Sequence, residues 1–128
     1  MPYDIINAAI FLLILVAAAL HHQRLRHVKL MKLCFVLDLA LLIAVEFLRD
    51  KPSAVAKAIG TMTHVERNNM VLAIHIAFSV LVLVLWVVQL VRGSQVLRGN
   101  ASMLPSHARW AKYFLLVRAG NVITAFMV

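Results

Sequence analysis

The run MVLAIHIAFSVLVLVLWVVQLV, residues 70–91, holds 22 residues without one Lys, Arg, Asp or Glu. About 20 such residues in a helix cross the ~30 Å hydrocarbon core of a bilayer. Three further apolar runs occupy 5–20, 33–48 and 113–128, and the last is interrupted by Arg118 and Asn121. Together with their flanks, the four runs predict transmembrane helices, over about 4–22, 29–49, 68–91 and 108–128.

The composition agrees with a membrane protein. Hydrophobic residues make up 63% of the 128 residues and charged residues 14%, with a mean hydropathy of +0.91. Soluble domains average about 25% charged residues. The connections between the runs are short, so helices that follow one another in sequence should be antiparallel neighbours. We therefore predict an all-α integral membrane protein, a single domain over 1–128 folded as an up-down bundle of four transmembrane helices.

The distribution of cations predicts the topology. The first connection (21–32), the second (49–67) and the third (92–112) each carry four Lys or Arg residues. In an up-down bundle the first and third connections lie on the same side of the membrane, so that side carries eight cations and the opposite side carries four. The positive-inside rule places the side with eight cations in the cytoplasm and therefore both termini outside. These flanks also account for the net charge of +8. Because no soluble basic module accompanies that charge, it does not indicate nucleic-acid binding.

Two charged residues lie about midway along their predicted spans, Asp38 in the second and Arg118 in the fourth. An ionisable side chain at that depth costs several kcal/mol unless it faces the bundle interior and finds a partner. We expect Asp38 and Arg118 to form a buried ion pair that joins the second and fourth helices.

Glu46, His75 and Asn121 fall in the outer half of the spans, at similar depth. We expect them to form a polar cluster in which Glu46 is a natural partner of His75. The cluster has two interpretations: interhelical hydrogen bonding, commonly about 1 kcal/mol per contact, or a haem-ligand or proton-relay site that uses His75.

Four histidines gather at the cytoplasmic ends: His21, His22, His27 and His107. Helices two and four are diagonal in an up-down bundle, so His27 and His107 can face each other across its interior. Two imidazoles from different helices are what haem b needs for axial ligation. The alternative is that these histidines lie in the membrane interface among Lys and Arg and contact lipid headgroups.

A third group lies on the outer side: Met62, His64 and Met70. Thioether and imidazole ligands suit copper(I), although the spacing is loose and makes copper the weaker cofactor candidate. The sequence has no nucleophile elbow, phosphate loop or zinc-protease motif, and we expect no enzyme activity.

Three motifs, in this order and at roughly this spacing, resemble a family of small bacterial membrane proteins catalogued as domain of unknown function 420. His27-Val-Lys-Leu-Met31 resembles the family's His-x-x-x-Met, Val71–Ile76 resembles its Ile-Leu-Ile-Ser-His-Ile, and Ala108–Trp110 resembles its Ala-Arg-Trp, which is followed by an apolar span with a late glycine (Gly120). The family's histidine lies further ahead of Ala-Arg-Trp than His107 does. The resemblance therefore supports His27 and His75 more than His107.

This resemblance implies a multi-pass protein of the bacterial plasma membrane that is linked to respiratory chains and handles haem or copper. Two functions follow as hypotheses. The first is a membrane protein of an electron-transfer system that binds a cofactor through residues drawn from His22, His27, His75 and His107. The second is a non-catalytic accessory subunit that packs against a larger membrane protein complex and binds no cofactor.

Overall fold

A computed structural model describes residues 2–47 and 67–128 of the chain, and within these ranges every regular element is helical. The elements, in chain order, are α1 (Pro2–Ala19), α2 (Arg24–Phe47), α3 (Arg67–Leu97), a short 3₁₀ helix (Ala101–Met103) and α4 (Leu104–Met127). The prediction of an all-α chain with four long helices is confirmed for this part of the sequence.

The connection between α3 and α4 is shorter than predicted, because α3 continues past residue 91 to Leu97. Gly93, although glycine often interrupts helices, lies inside α3. The break comes at Gly99, whose φ of 95° is in the left-handed region that favours glycine. The N–H groups of Gly99 and Asn100 donate to the carbonyls of Val96 and Gln95 and so cap the helix. Pro105 then lies in the first turn of α4, where a missing N–H costs nothing.

The described helices associate as two hairpins. α3 packs most extensively against α4, α1 packs against α2, and the hairpins meet where α1 contacts α4. The backbones of α2 and α3 barely approach each other in the described ranges, although an up-down bundle predicts them as neighbours. They are bridged instead by a large side chain: Trp86 of α3 contacts Phe35 and Asp38 of α2.

The apolar core lies at mid-height in the bundle and receives side chains from all four helices. Its fully or nearly buried members are Ile10, Ile14, Cys34, Val82, Leu85, Trp86 and Phe114. Most other large apolar side chains point outward. Leu12, for example, is 62% exposed, and Leu116 is 71% exposed. The bundle therefore buries a narrow core and presents a largely apolar exterior.

Two of the described helices are long and apolar enough to cross a membrane: Pro2–Ala19, with a mean hydropathy of 2.0, and Met70–Leu97, in which an 18-residue window has a mean hydropathy of 2.8. α2 and α4 are less apolar because of the polar residues they carry. These include Lys29, Lys32, Asp38 and Glu46 in α2, and Arg109, Lys112, Arg118 and Asn121 in α4. The prediction of four spans is thus supported directly for the first and third helices only.

The close approach of α3 and α4 depends on Gly120. A Cβ atom at this position would lie 2.9 Å from Cζ of Phe78, closer than carbon atoms tolerate. We expect Gly120→Ala to lower the free energy of unfolding by about 1–3 kcal/mol, the usual cost of overpacking. Thermal unfolding of the detergent-solubilised protein, followed by far-UV circular dichroism, measures this loss of stability.

Gly93→Ala is the matched control, because its Cβ would lie 3.4 Å from Cε1 of His107, an ordinary contact. We expect this variant to unfold close to the wild-type temperature. Equal losses in the two variants would contradict the contact between Gly120 and Phe78.

Candidate functional site

The structure brings the predicted pair, Asp38 and Arg118, together at the centre of the bundle. Nη2 of Arg118 lies 2.8 Å from Oδ1 of Asp38, and the two side chains are 2% and 9% exposed. Each comes from the interior face of its helix, one on α2 and the other on α4. A buried charge without a partner costs far more than a paired one, so this contact determines how the two helices align.

Three further residues form hydrogen bonds with the pair. Nε1 of Trp86 donates to the other carboxylate oxygen of Asp38 at 2.8 Å. Nη1 of Arg118 donates to Oδ1 of Asn121 at 3.0 Å, and Nη2 donates to the backbone carbonyl of Asn7 at 3.5 Å. All four helices therefore contribute to one polar centre. Within the described ranges, only Nε of Arg118 in this centre is buried without a hydrogen-bond partner.

The polar network continues from this centre toward the N-terminal end of α3 and the C-terminal end of α4. Nδ2 of Asn121 donates to Oγ of Ser79 at 2.8 Å, and Oγ of Ser79 donates to the carbonyl of His75 at 2.9 Å. Nδ1 of His75 is hydrogen-bonded to Oγ1 of Thr124 at 2.9 Å. Asp4 of α1 lies close enough to His75 to interact with it electrostatically. His75 is thus part of a hydrogen-bonded network that ties α3 to α4.

The expected partner of His75, Glu46, does not join this network. Glu46 is half-buried near the end of α2, and the described residues include no hydrogen-bond or ion-pair partner for it. Asn121 bonds Arg118 and Ser79 instead. The reason is the packing: His75 and Asn121 lie on the two helices that associate most closely, whereas α2 stands apart from α3.

An apolar layer closes the bundle interior on the side of the ion pair that faces the N-terminal ends of α2 and α4. Cys34 and Phe114 each lie one turn before Asp38 and Arg118, and Ile10 lies one turn beyond Asn7 on α1. Trp86 completes the layer from α3, its ring centroid 4.6 Å from that of Phe114. The four side chains are at most 5% exposed. We call these four residues the apolar layer.

His27 and His107 lie at one level beyond the apolar layer. α2 and α4 run in the same direction, and each histidine precedes its member of the Asp38–Arg118 pair by 11 residues. Equal numbers of residues in two helices give equal rises. The two imidazoles are close enough that a positive charge on His27 affects the titration of His107.

The environments of these two histidines differ. Nδ1 of His27 donates to the backbone carbonyl of Ala17 at 2.7 Å. Since a carbonyl only accepts, Nδ1 carries a proton, and Nε2 is the ring nitrogen through which a neutral His27 could bind a metal. The ring of His107 packs against Gly93, and its Nδ1 is buried without a partner in the described ranges. Burial lowers the pKa of His107, and positive charge on His27 and Arg92 lowers it further.

The other predicted ligands lie apart from this pair. His22 is exposed at the end of α1 and contacts only the edge of the His21 ring, which is exposed as well. His75 is bonded to Thr124, 17 residues beyond His107, a rise of about 25 Å. His27 and His75 therefore cannot bind one group.

Of the predicted copper ligands, Met62 and His64 lie outside the described residues. Met70 is 54% exposed near the start of α3. In residues 2–47 and 67–128, no cluster of three His, Cys, Asp or Glu side chains suits a metal ion.

Five polar or aromatic residues of the interior were missed from the sequence: Asn7, Ser79, Trp86, Gln89 and Thr124. Gln89 is buried, and neither atom of its amide has a partner among the described residues. A signal was present in α3, where His75, Ser79, Trp86 and Gln89 follow at spacings of four, seven and three residues. Such spacing places them on one helix face. A polar stripe within an apolar run indicates the face that points into a bundle.

We expect Asp38→Leu and Arg118→Met each to destabilise the bundle by about 3–5 kcal/mol, because each leaves the other charge buried without its partner. The double variant should lose much less stability than the sum of the two single losses, because it leaves neither charge buried without a partner. Unfolding in detergent, followed by circular dichroism, gives the double-mutant cycle. Glu46→Gln is the control, as it removes a carboxylate of the same helix outside the network. Additive losses would show that the ion pair contributes no coupling.

Comparisons of the chain with known protein families, with curated proteins and with solved structures find no significant match. What the chain does must therefore follow from the placement of its own side chains. Two features are chemically distinctive: the polar network centred on Asp38 and Arg118, and the pair His27 and His107 beyond the apolar layer.

Proposed function

We propose that this chain is a four-span integral membrane protein of a bacterial electron-transfer system, in which His27 and His107 hold a haem b. The observation that carries the proposal is the placement of two imidazoles, from helices that run in the same direction, at one level of the bundle. The Nε2 atom of His27, through which a neutral imidazole could bind a metal, supports it. The respiratory setting rests on the resemblance to domain of unknown function 420.

Insertion of all four helices is supported by the distribution of polarity. Only 17% and 22% of the two most apolar windows are buried inside the bundle, whereas the core helix of a soluble protein would be mostly buried. Asp38, Arg118 and Asn121 point inward, while large apolar side chains point outward. A soluble monomer rarely exposes so much contiguous apolar surface. Three of the polar residues that lower the hydropathy of α2 and α4, Asp38, Arg118 and Asn121, are therefore ones that lipid would not contact, whereas Lys32 and Lys112 are exposed.

The imidazoles of His27 and His107 are suitable ligands for the iron of haem b. The Ala17 carbonyl fixes the tautomer and orientation of His27, as hydrogen bonds to the second ring nitrogen do for metal-binding histidines. The pKa of His107 is lowered, so this imidazole is neutral near pH 7 and able to donate a lone pair. Haem b, when bound, supplies one-electron transfer. Two imidazoles can also bind copper(I), and metal analysis distinguishes copper from the iron of haem.

The second candidate function is an accessory subunit without a cofactor that packs against a larger membrane protein complex. The observation that favours it is the filled interior: the polar network occupies the outer half, and the apolar layer closes the middle. A bundle of this kind can act as a rigid structural element and has a wide apolar exterior available for other transmembrane helices.

Cysteine labelling tests the four spans. In a Cys34→Ala background we expect Pro2→Cys and Val128→Cys to react with a membrane-impermeant maleimide on intact cells. His22→Cys and Ser102→Cys, at exposed positions of the two connections on the opposite side, should react only after permeabilisation. Termini that label on different sides would exclude the four-span topology.

The cofactor is tested by absorption spectroscopy of the purified protein, with metal analysis alongside. We expect a Soret band and a sharp reduced α-band in the wild type, and their loss in His27→Ala and in His107→Ala. His22→Ala and His75→Ala are the matched controls and should retain the spectrum, because the first is exposed and the second lies in the outer half. A colourless, metal-free protein that elutes with a large partner would favour the accessory subunit instead.

A further inference from the structure

The inner end of α3 carries a surface groove of about 320 Å³ that belongs to neither the polar network nor the histidine pair. Its lining is Leu90, Val91, Ser94, Gln95 and Arg98. These positions lie on the side of α3 away from Gly93, which packs against His107 of α4. The groove is therefore open to the surroundings of the bundle.

The lining changes character along the helix axis. Leu90 and Val91 form its apolar half, while Ser94, Gln95 and Arg98 offer hydroxyl, amide and guanidinium donors. From Val91 to Arg98 the helix rises about 10 Å. In the proposed topology this rise crosses from the hydrocarbon to the headgroup region at the inner surface. A ligand that fits both halves has an apolar chain joined to a polar, hydrogen-bond-accepting head.

The charge of this end of the bundle selects an anionic head. The acidic residues of the described ranges, Asp4, Asp38 and Glu46, all lie at or beyond the central ion pair, toward the outer end. Arg98 is exposed and forms no ion pair within the described part of the chain. A guanidinium binds phosphate through paired, charge-assisted hydrogen bonds, and basic residues at the inner membrane surface attract anionic lipid headgroups.

We propose that this groove binds an anionic glycerophospholipid, with the acyl chain along Leu90 and Val91 and the phosphate at Arg98, Ser94 and Gln95. The proposal rests on the membrane insertion proposed above, and it is independent of whether His27 and His107 bind haem. An acidic peptide would satisfy Arg98 but not the apolar half, which lies at hydrocarbon depth.

Native mass spectrometry tests the site. The full chain is purified in detergent, delipidated and mixed with equimolar dioleoyl phosphatidylglycerol and dioleoyl phosphatidylcholine. We expect selective retention of phosphatidylglycerol by the wild type. In Arg98→Gln that retention should fall about tenfold, as one charge-assisted contact is worth at least about 1.4 kcal/mol. Arg109→Gln is the matched control, since Arg109 is an exposed arginine at the same end but on α4.

A second variant tests the apolar half. Val91→Trp fills the groove and should reduce retention of the lipid while leaving the phosphate donors in place. Inorganic phosphate, added as a competitor, should not displace phosphatidylglycerol, because it lacks the acyl chain. Equal retention of the two lipids, equal effects of Arg98→Gln and Arg109→Gln, or displacement by phosphate would each overturn the proposal. If labelling shows four spans and any of these results is also obtained, the lipid site is rejected while the proposal of a four-span membrane protein stands.

Discussion

The ion pair between Asp38 and Arg118 is the constraint on which the arrangement of the helices depends. In an apolar interior, neither charge is tolerated alone, so α2 and α4 must align until the two groups meet. Trp86 then donates a hydrogen bond to Asp38, and Asn121 accepts one from Arg118. Because the carbonyl of Asn7 also contacts Arg118, the first helix is positioned by the same centre. One electrostatic contact thus sets the relative heights of three helices and, through Trp86, links the fourth.

The level of the inner histidines follows from this alignment. His27 and His107 are 11 residues away from the pair on helices that run in the same direction, so any register that joins Asp38 to Arg118 also places the two imidazoles at one level of the bundle. The common level of the histidines is therefore built into the sequence spacing. The apolar layer between the two sites separates their chemistry. On one side, the polar network around Asp38 and Arg118 is hydrogen-bonded at every buried side-chain atom except Nε of Arg118, and on the other side Nδ1 of His107 is buried without a partner among the described residues.

The sequence predicted the helical class, the central ion pair and the common level of His27 and His107, because depth along a helix can be counted in residues. It failed where the answer depended on which helices touch. Glu46 has the right depth to meet His75, but α2 and α3 stand apart and Thr124 takes its place. Gly93 resembles a helix breaker in sequence, yet it is the point where His107 packs. Lateral packing of this kind is set by side-chain volumes from several helices at once, which a single periodic pattern does not encode.

The apolar layer has a consequence for energy conservation in a cell. A chain of water molecules and polar groups that crossed the whole bundle would let protons run down their electrochemical gradient. Ile10, Cys34, Trp86 and Phe114 are at most 5% exposed and pack tightly between the Asp38–Arg118 pair and the two histidines. In a bundle that spans the bilayer as proposed, this layer would interrupt a polar path between the buried charges and the histidines.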